Sequence, residues 1–444
     1  RINSVYGFAR LAYNNYLFLD ITGRNDWSST LPSNNNSYFY PSVTLSTVFS
    51  DMFVLPEFVS FAKLRAAYAE VGNDTDPYKL SSFYTNENPF GEYPVLTESS
   101  LIPNANLKPE ITSSYEFGVD LRFFQSRLNI DATYYSSLTK NQIISIDADI
   151  ASGYASKLIN AGEVKNYGFE AILGITPVRN DNFSWKATFN FAKNQSEVTD
   201  LGGVDYTLTE RNSAFIQARE GGSISAIYGR GFQRVEDENS PYFGEMIIDE
   251  NGIPLRTDDL VYQGDYAPDY TLGFQNSFRY KAFDFGFLLD TRQGGIVVSR
   301  TKTIGSTSGQ LKETLVGRET GIVADGVVQV SDGVYEPNTT NVDARTYNNR
   351  YYERDNVEAA KYDASYTKLR EVTLGYTIPK RFIKQLPITN ARFSLSGRNL
   401  LLWTENPHFD PETVAVSGGT LQPGIENMSY PSTRSFTFNL RVDF

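Results

Sequence analysis

The sequence predicts an all-β protein, an antiparallel transmembrane β-barrel, from three observations. Apolar and polar residues alternate over long stretches, tight connections alternate with long ones, and the chain ends on a strand that closes with an aromatic residue. Each apolar-polar repeat has the period of two that sends successive side chains to opposite faces of a sheet. Aromatics make up 14% of the 444 residues, with 29 Tyr and 30 Phe against 3 Met, a balance that favours strands over helices.

The strands read in order along the chain. The first, about Ser4 to Tyr13, runs into Asn14-Asn15. Tyr115 to Phe123 and Leu128 to Tyr134 flank Gln125-Ser126, and Tyr167 to Ile175 precedes Val178 to Asp181. From Asn182 to Ala192, Phe183, Trp185, Ala187, Phe189 and Phe191 share one face, while Ser184, Lys186, Thr188 and Asn190 share the other. Tyr270 to Lys281 repeats this pattern up to Lys281-Ala282, with Asn276 alone interrupting the apolar face. Between Leu369 and Val372 the apolar parity switches from odd to even, which predicts a β-bulge near Arg370-Glu371. Pro379 to Leu386, with Phe382, Ile383 and Leu386, has the pattern of a short amphipathic helical turn. Ala391 to Gly397 and Ser435 to Phe444 complete the strands.

Alternation alone suits a soluble sandwich equally well, since its apolar face would pack on a second sheet. Connection lengths separate the two folds. The tight turns alternate with long polar stretches at Asp26–Tyr38, Asn73–Ile111, Lys140–Gly162, Asn194–Pro268, Gln293–Asp363 and Thr404–Tyr430. Outer-membrane barrels show this asymmetry, with short periplasmic turns and long extracellular loops. The first and last strands both run toward the short-turn side, so the strand count is odd: about 13, or 15 if Ser213 to Val235 adds two. Single-chain bacterial barrels have even counts. The expectation is therefore that residues 1–444 are the C-terminal part of a larger barrel, and the start at Arg1 without methionine reads as a fragment or processed product.

No apolar run approaches the roughly 20 residues of a membrane-spanning helix. The mean hydropathy of −0.36 is no argument against a barrel, because alternating strands keep the average low. With no Cys and one His, disulfide, zinc and thiol chemistry fall away, and any enzyme would have to rely on carboxylates such as Asp258-Asp259. The formal charge of −12 argues against a nucleic-acid partner.

Several residues stand out for function. Phe436, Phe438, Leu440, Val442 and Phe444 form a terminal apolar face that a barrel-inserting machinery would read. Lys63, Arg65, Lys186, Arg392 and Arg398 fall on the polar face and are candidates to face the lumen, as solvated wall residues paired with neighbouring carboxylates. Trp403, His408 and Phe409 are candidate ligand contacts around the final extracellular loop, or else a small core that holds it together. Asp249-Glu250-Asn251-Gly252 begins like a calcium loop but lacks the further alternating carboxylates, so no cofactor is expected.

Short stretches in a fixed order carry a resemblance: Leu107-Lys108-Pro109-Glu110, Gly162 to Glu170 (GEVKNYGFE), Leu369 to Pro379 (LREVTLGYTIP), Gly397-Arg398-Asn399-Leu400, Asp410-Pro411-Glu412, and Tyr430-Pro431 through Phe444. Together they resemble the SusC-like, or RagA-like, TonB-dependent outer-membrane transporters. The resemblance implies a barrel of about 22 strands closed by an N-terminal plug. It also implies the TonB complex and a SusD-like lipoprotein lid as partners, membrane lipid around the wall, and a glycan or peptide cargo. Import is the function so implied. A passive porin or adhesin and a soluble multi-sheet binding module are the alternatives.

Overall fold

The computed structural model of the chain describes residues 1–211, 213–385, 387–417 and 420–444, which divide into two compact units. The first takes in residues 1–206, 219–224 and 272–281. It is built on β1 (Ile2–Tyr13), β2 (Leu17–Ser28), β3 (Ser37–Val48), β4 (Val59–Asn73), β5 (Glu110–Phe123), β6 (Leu128–Lys140), β7 (Glu163–Arg179), β8 (Phe183–Asp200) and β9 (Tyr270–Tyr280). From β1 to β8 each strand is antiparallel to the one before.

The second unit takes in residues 207–218, 225–271 and 282–444. It is built on β10 (Phe283–Gln293), β11 (Tyr366–Thr377), β12 (Asn390–Thr404) and β13 (Ser435–Asp443), again antiparallel in succession. Thirteen long strands thus follow one another in chain order among the described residues. Of the two counts the sequence allowed, thirteen is found: Ala214–Ala218 and Ala226–Gly229 belong to a separate four-stranded sheet with Tyr206–Arg211 and Val261–Asp265.

The tight connections form where the chain tolerates left-handed backbone. Asn14 and Asn15 take φ of 48° and 60°, and Lys281 takes 52°. Asn populates that region readily, and two such residues in a row match the twist of a hairpin. The expected helical turn is present at Lys380–Ile383, with Ile383 buried and Phe382 exposed; Leu386 lies outside the described residues. At the opposite ends, strands run further than the alternation alone indicated. β8 continues to Asp200 as an 18-residue strand, roughly 60 Å at about 3.3 Å per residue, against a hydrocarbon core of about 30 Å. Beyond the lipid neither face has to be apolar, so Lys193 to Glu197 extend the ladder without extending the pattern.

Register lines the faces up across each unit. In the first, Leu11, Leu19, Leu45, Ala66, Phe117, Tyr134 and Phe169 stand opposite one another across seven strands. One residue away, Ser46, Arg65, Gly118, Thr133 and Glu170 form a polar row. In the second unit Phe285, Leu374, Leu395 and Phe438 make the apolar row, and Asp284, Gly375, Ser394 and Asn439 the polar one.

The apolar rows are not a core. Phe117 is 58% exposed and Phe438 68%, whereas a buried side chain of that size contributes about 1.5–3 kcal/mol. A water-soluble protein does not leave an apolar face of that extent uncovered, so lipid is its solvent. The buried clusters lie among the loops instead. Leu31, Tyr38, Leu107 and Leu158 pack together in the first unit, and Ile216, Ile227, Val298, Val357 and Ile425 are among those that pack in the second.

Candidate functional site

The strongest concentration of charge in the second unit sits on β11, at the position where the sequence parity switches. Leu369 pairs with Leu289 on β10 and Leu401 on β12, but the next pairs are Leu288–Glu371 and Arg398–Glu371. Arg370 is the residue left out of both ladders, and the bulge turns its side chain toward the last long loop. Its Nε donates to Asp290 Oδ2 at 2.9 Å, and its Nη1 donates to Glu412 Oε2 at 2.6 Å.

Lys368, two residues earlier, is 2% exposed and donates from Nζ to Asp410 Oδ1 at 2.8 Å, with Glu412 a second partner. Tyr366 OH donates to Glu412 Oε1 at 2.7 Å, and the Ser432 N–H donates to Asp410 Oδ2 at 3.1 Å. A buried ammonium left alone would cost several kcal/mol, so the two carboxylates are what make Lys368 tenable there. Burial by itself would raise both loop carboxyls. For Asp410, hydrogen bonds from Lys368, Ser432 and the Glu412 N–H outweigh it and bring the group down to about 2. For Glu412, hydrogen bonds from Arg370, Lys368 and Tyr366 do the same, also to about 2. Both stay ionised at neutral pH, which suits a clamp and gives no proton to an acid catalyst.

A second contact ties the same loop down. Glu426 is fully buried and accepts from Ser299 Oγ at 2.7 Å, Thr301 Oγ1 at 2.7 Å and the Thr301 N–H at 3.1 Å, at the start of the helix Arg300–Thr307.

The sequence-selected cations behave as wall residues. Arg65 pairs with Asp131 at 2.7 Å, Arg392 with Asp284 at 3.2 Å, and Arg398 with Glu371 at 2.8 Å. Lys63 stands opposite Asp120 in register, and Lys186 is exposed on the polar face of β8. The candidate loop contacts do not form one constellation. Trp403 belongs to β12, not to the loop: opposite Thr367 and 52% exposed, it shares a face with Leu401. Phe409 packs edge-on against Tyr362 with ring centroids 5.6 Å apart, as part of a small core. His408 Nε2 lies 3.4 Å from Glu313 Oε2, and burial together with nearby Lys302 lowers its pKa.

In the terminal strand, Phe436, Phe438 and Leu440 are exposed opposite Gly397, Leu395 and Phe393, Val442 pairs with Ala391, and Phe444 is 85% exposed. Asp249 Oδ1 accepts from the N–H groups of Asn251 and Ile253, so that carboxylate caps its own turn. Asp258 and Asp259 lie exposed at a bend. Among the described residues no group of three or more acidic, His or Cys side chains is placed to hold a metal.

Sequence reasoning found the bulge but missed the cluster it serves. Asp290, Tyr366 and Lys368 carry no local signal. The family-like motifs held one, because Arg370 of LREV, Asp410 and Glu412 of DPE, and Ser432 after Tyr430-Pro431 converge on one point.

A sheet with one lipid-covered face and one ion-paired face, and with its packed cores in long loops, defines a membrane β-barrel wall. Residues 1–400 match the family described as TonB dependent receptor-like, beta-barrel, and the chain belongs to that family. It is 28% identical to TonB-dependent receptor P3 of Formosa agariphila, the alignment covering 99% of this chain and 45% of that protein. It is 25% identical to TonB-dependent receptor SusC of Bacteroides thetaiotaomicron, covering 98% of this chain and 43% of the relative. The chain thus spans a little under half the length of these relatives. It shares its fold with the RagAB peptide transporter, at a TM-score of 0.77 and 22% identity, over 100% of this chain and 48% of that one. The SusC-like, RagA-like resemblance carried by the motifs is borne out.

Proposed function

We propose that the chain is the C-terminal wall of a TonB-dependent outer-membrane importer. In this reading it works with an N-terminal plug, the TonB complex and a SusD-like surface lipoprotein to take up a large nutrient, an oligosaccharide in the first instance. The observation that carries the reading is the family match over residues 1–400. The ionic clamp of Lys368 and Arg370 on Asp410 and Glu412 supports it, since a receptor loop must hold its shape while cargo is captured. No cofactor is assigned, and the Asp249 turn is taken as structural.

The test is deletion of the gene, followed by growth and uptake measurements on individual glycans and peptides, with a TonB-deficient strain alongside. Loss of uptake for one glycan class in both strains is the expected result. Unchanged growth and uptake on every substrate would sink the import reading, and loss confined to peptides would reassign the cargo.

A further inference from the structure

In the second unit, a cavity of about 550 Å³ opens between the end of the helix Arg300–Thr307, the 3-10 turn Lys312–Leu315 and the start of the helix Ala344–Tyr351. That volume lies within the range of small-ligand clefts, about 300–1,000 Å³. Its lining includes Ser306, Ser308, Thr314, Arg318, Arg345 and Asn348, and Ala344 is the one apolar side chain among its lining residues.

The two arginines set the site apart from the charged groups already described. Arg65, Arg370, Arg392 and Arg398 each hold a carboxylate. Arg318 and Arg345 have no carboxylate partner among the described residues. Arg318 is nevertheless held in place: its Nε donates to Thr314 O at 2.9 Å, and its Nη2 donates to Gly309 O at 2.8 Å and Thr314 Oγ1 at 3.1 Å. Those bonds fix the guanidinium plane and leave Nη1 uncommitted. Gly309, at φ +70°, is the seat under it, where a Cβ would come within 3.3 Å of Nη2. The helix N-terminus itself is not the anion-binding element, because Asp343 Oδ1 already accepts from the Thr346 N–H at 3.0 Å.

A guanidinium fixed in place and lacking a carboxylate matches a planar anion, carboxylate or sulfate, through paired hydrogen bonds. The rest of the lining is hydroxyl and amide, including the nine-tenths-buried Asn348, which suits a ligand that presents hydroxyls on all sides. Peptide recognition works through an exposed strand edge or apolar side-chain pockets, and neither lines this cavity. With the chain at −12, an anion gains nothing from long-range attraction and must be recognised by these local groups.

We propose that this cavity is a subsite for an acidic oligosaccharide, with Arg318 and Arg345 reading the carboxylate or sulfate and the hydroxyl and amide side chains reading the sugar. The proposal rests on the import reading for why cargo should reach it, but binding can be measured without transport.

The experiment uses the full-length protein purified from outer membranes with whatever partner accompanies it. Four probes are titrated: an oligogalacturonate for the carboxylate, a sulfated galactan oligosaccharide for the sulfate, a neutral maltooligosaccharide of equal length, and an acidic peptide. The expected result is that one acidic sugar binds at least tenfold more tightly than the neutral one. R318Q and R345Q each remove that preference without changing neutral-sugar binding, and R345K keeps part of it. The first two probes tell the carboxylate from the sulfate. Equal binding of acidic and neutral sugars, affinity unchanged in both Gln variants, or an Arg-dependent preference for the peptide would each overturn the proposal. The deletion strain separates the two readings. Preferential binding without any uptake phenotype overturns import and leaves the subsite standing, whereas an uptake phenotype without preferential binding does the reverse.

Discussion

Arg65 on β4 lies across the bare backbone of Gly118 on β5 to reach Asp131 on β6, with Nη2 2.7 Å from Oδ1 and Nη1 3.3 Å from Oδ2. The second unit repeats the device. Arg392 on β12 passes over Gly375 on β11 to reach Asp284 on β10, and a Cβ at Gly375 would stand 2.7 Å from its guanidinium. In both cases a glycine in a strand, ordinarily a weakness, serves as the floor for a side chain that joins two strands.

That relationship predicts a coupling. Both partners of the Arg65–Asp131 pair are roughly two-fifths exposed, so the pair stabilises by only about 0.5–1 kcal/mol. Gly118→Ala should lose about that amount by pushing Arg65 off Asp131, and should lose almost nothing in a background that already carries Arg65→Gln. The midpoint of heat modifiability on unheated gels, measured for the full-length protein, reads the cycle. Additive losses would show that Gly118 does not serve Arg65.

Asn276 was the one polar residue on an otherwise apolar strand face, and Trp185 accounts for it. The indole N–H donates to Asn276 Oδ1 at 3.0 Å, and Asn276 is 2% exposed. Trp185→Phe should therefore cost about 1–3 kcal/mol by leaving a buried acceptor unmet. Adding Asn276→Val should restore most of it. If the double variant is no more stable than Trp185→Phe alone, the hydrogen bond is not what holds this pair.

The wall was legible in the sequence because lipid imposes a strict rule: every second residue must be apolar for as long as the strand is immersed. Phe183 to Phe191 obey it, and a break in it located the Arg370 bulge to the residue. The clamp was not legible, because ion pairs between Lys368 and Asp410 or Arg370 and Asp290 join residues 42 and 80 positions apart and leave no period. The loops follow the same logic. Leu107, fully buried against Leu31, Tyr38 and Leu158, lies in what read as a polar connection, since packing there depends on three separate segments meeting.

Phe444 tests the assembly reading of the terminal strand. With Phe436, Phe438 and Leu440 exposed along β13, the strand offers an inserting machinery an open edge and an aromatic end to grip. Removing Phe444 should lower the amount in outer-membrane fractions several-fold, with the missing protein recovered as a periplasmic aggregate or degraded. An unchanged outer-membrane level on immunoblots would refute the assignment.

Lys368→Met should release the last loop. Asp410 is 5% exposed, and losing its cation would leave a buried charge partly unpaired, a change of about 3–5 kcal/mol. Limited proteolysis should then cut within residues 405–434, where the parent protein resists. Arg370→Lys, which keeps a cation but loses the forked contact to Asp290 and Glu412, should give an intermediate rate. Cleavage equal to the parent in both variants would mean that Glu426 alone secures the loop.

The same clamp should be sensitive to acid within a defined window. Asp410 and Glu412 are both held down at about 2, below the roughly 4 of a free carboxylate. A group depressed on folding contributes stability that is complete above its unfolded pKa and disappears as pH falls through the folded value. The loop should therefore stay protected from pH 7 down to about 5, loosen between about 4 and 2, and be free below that. Pepsin, active across that range, reads this directly: cleavage within 405–434 should rise steeply below about pH 4 while the wall strands stay intact. The Lys368→Met variant should already be cut at pH 4.5, because its carboxylates have lost the cation that holds them down. A loop that opens at pH 6, or stays closed at pH 1.5, would show that these two carboxylates do not control it.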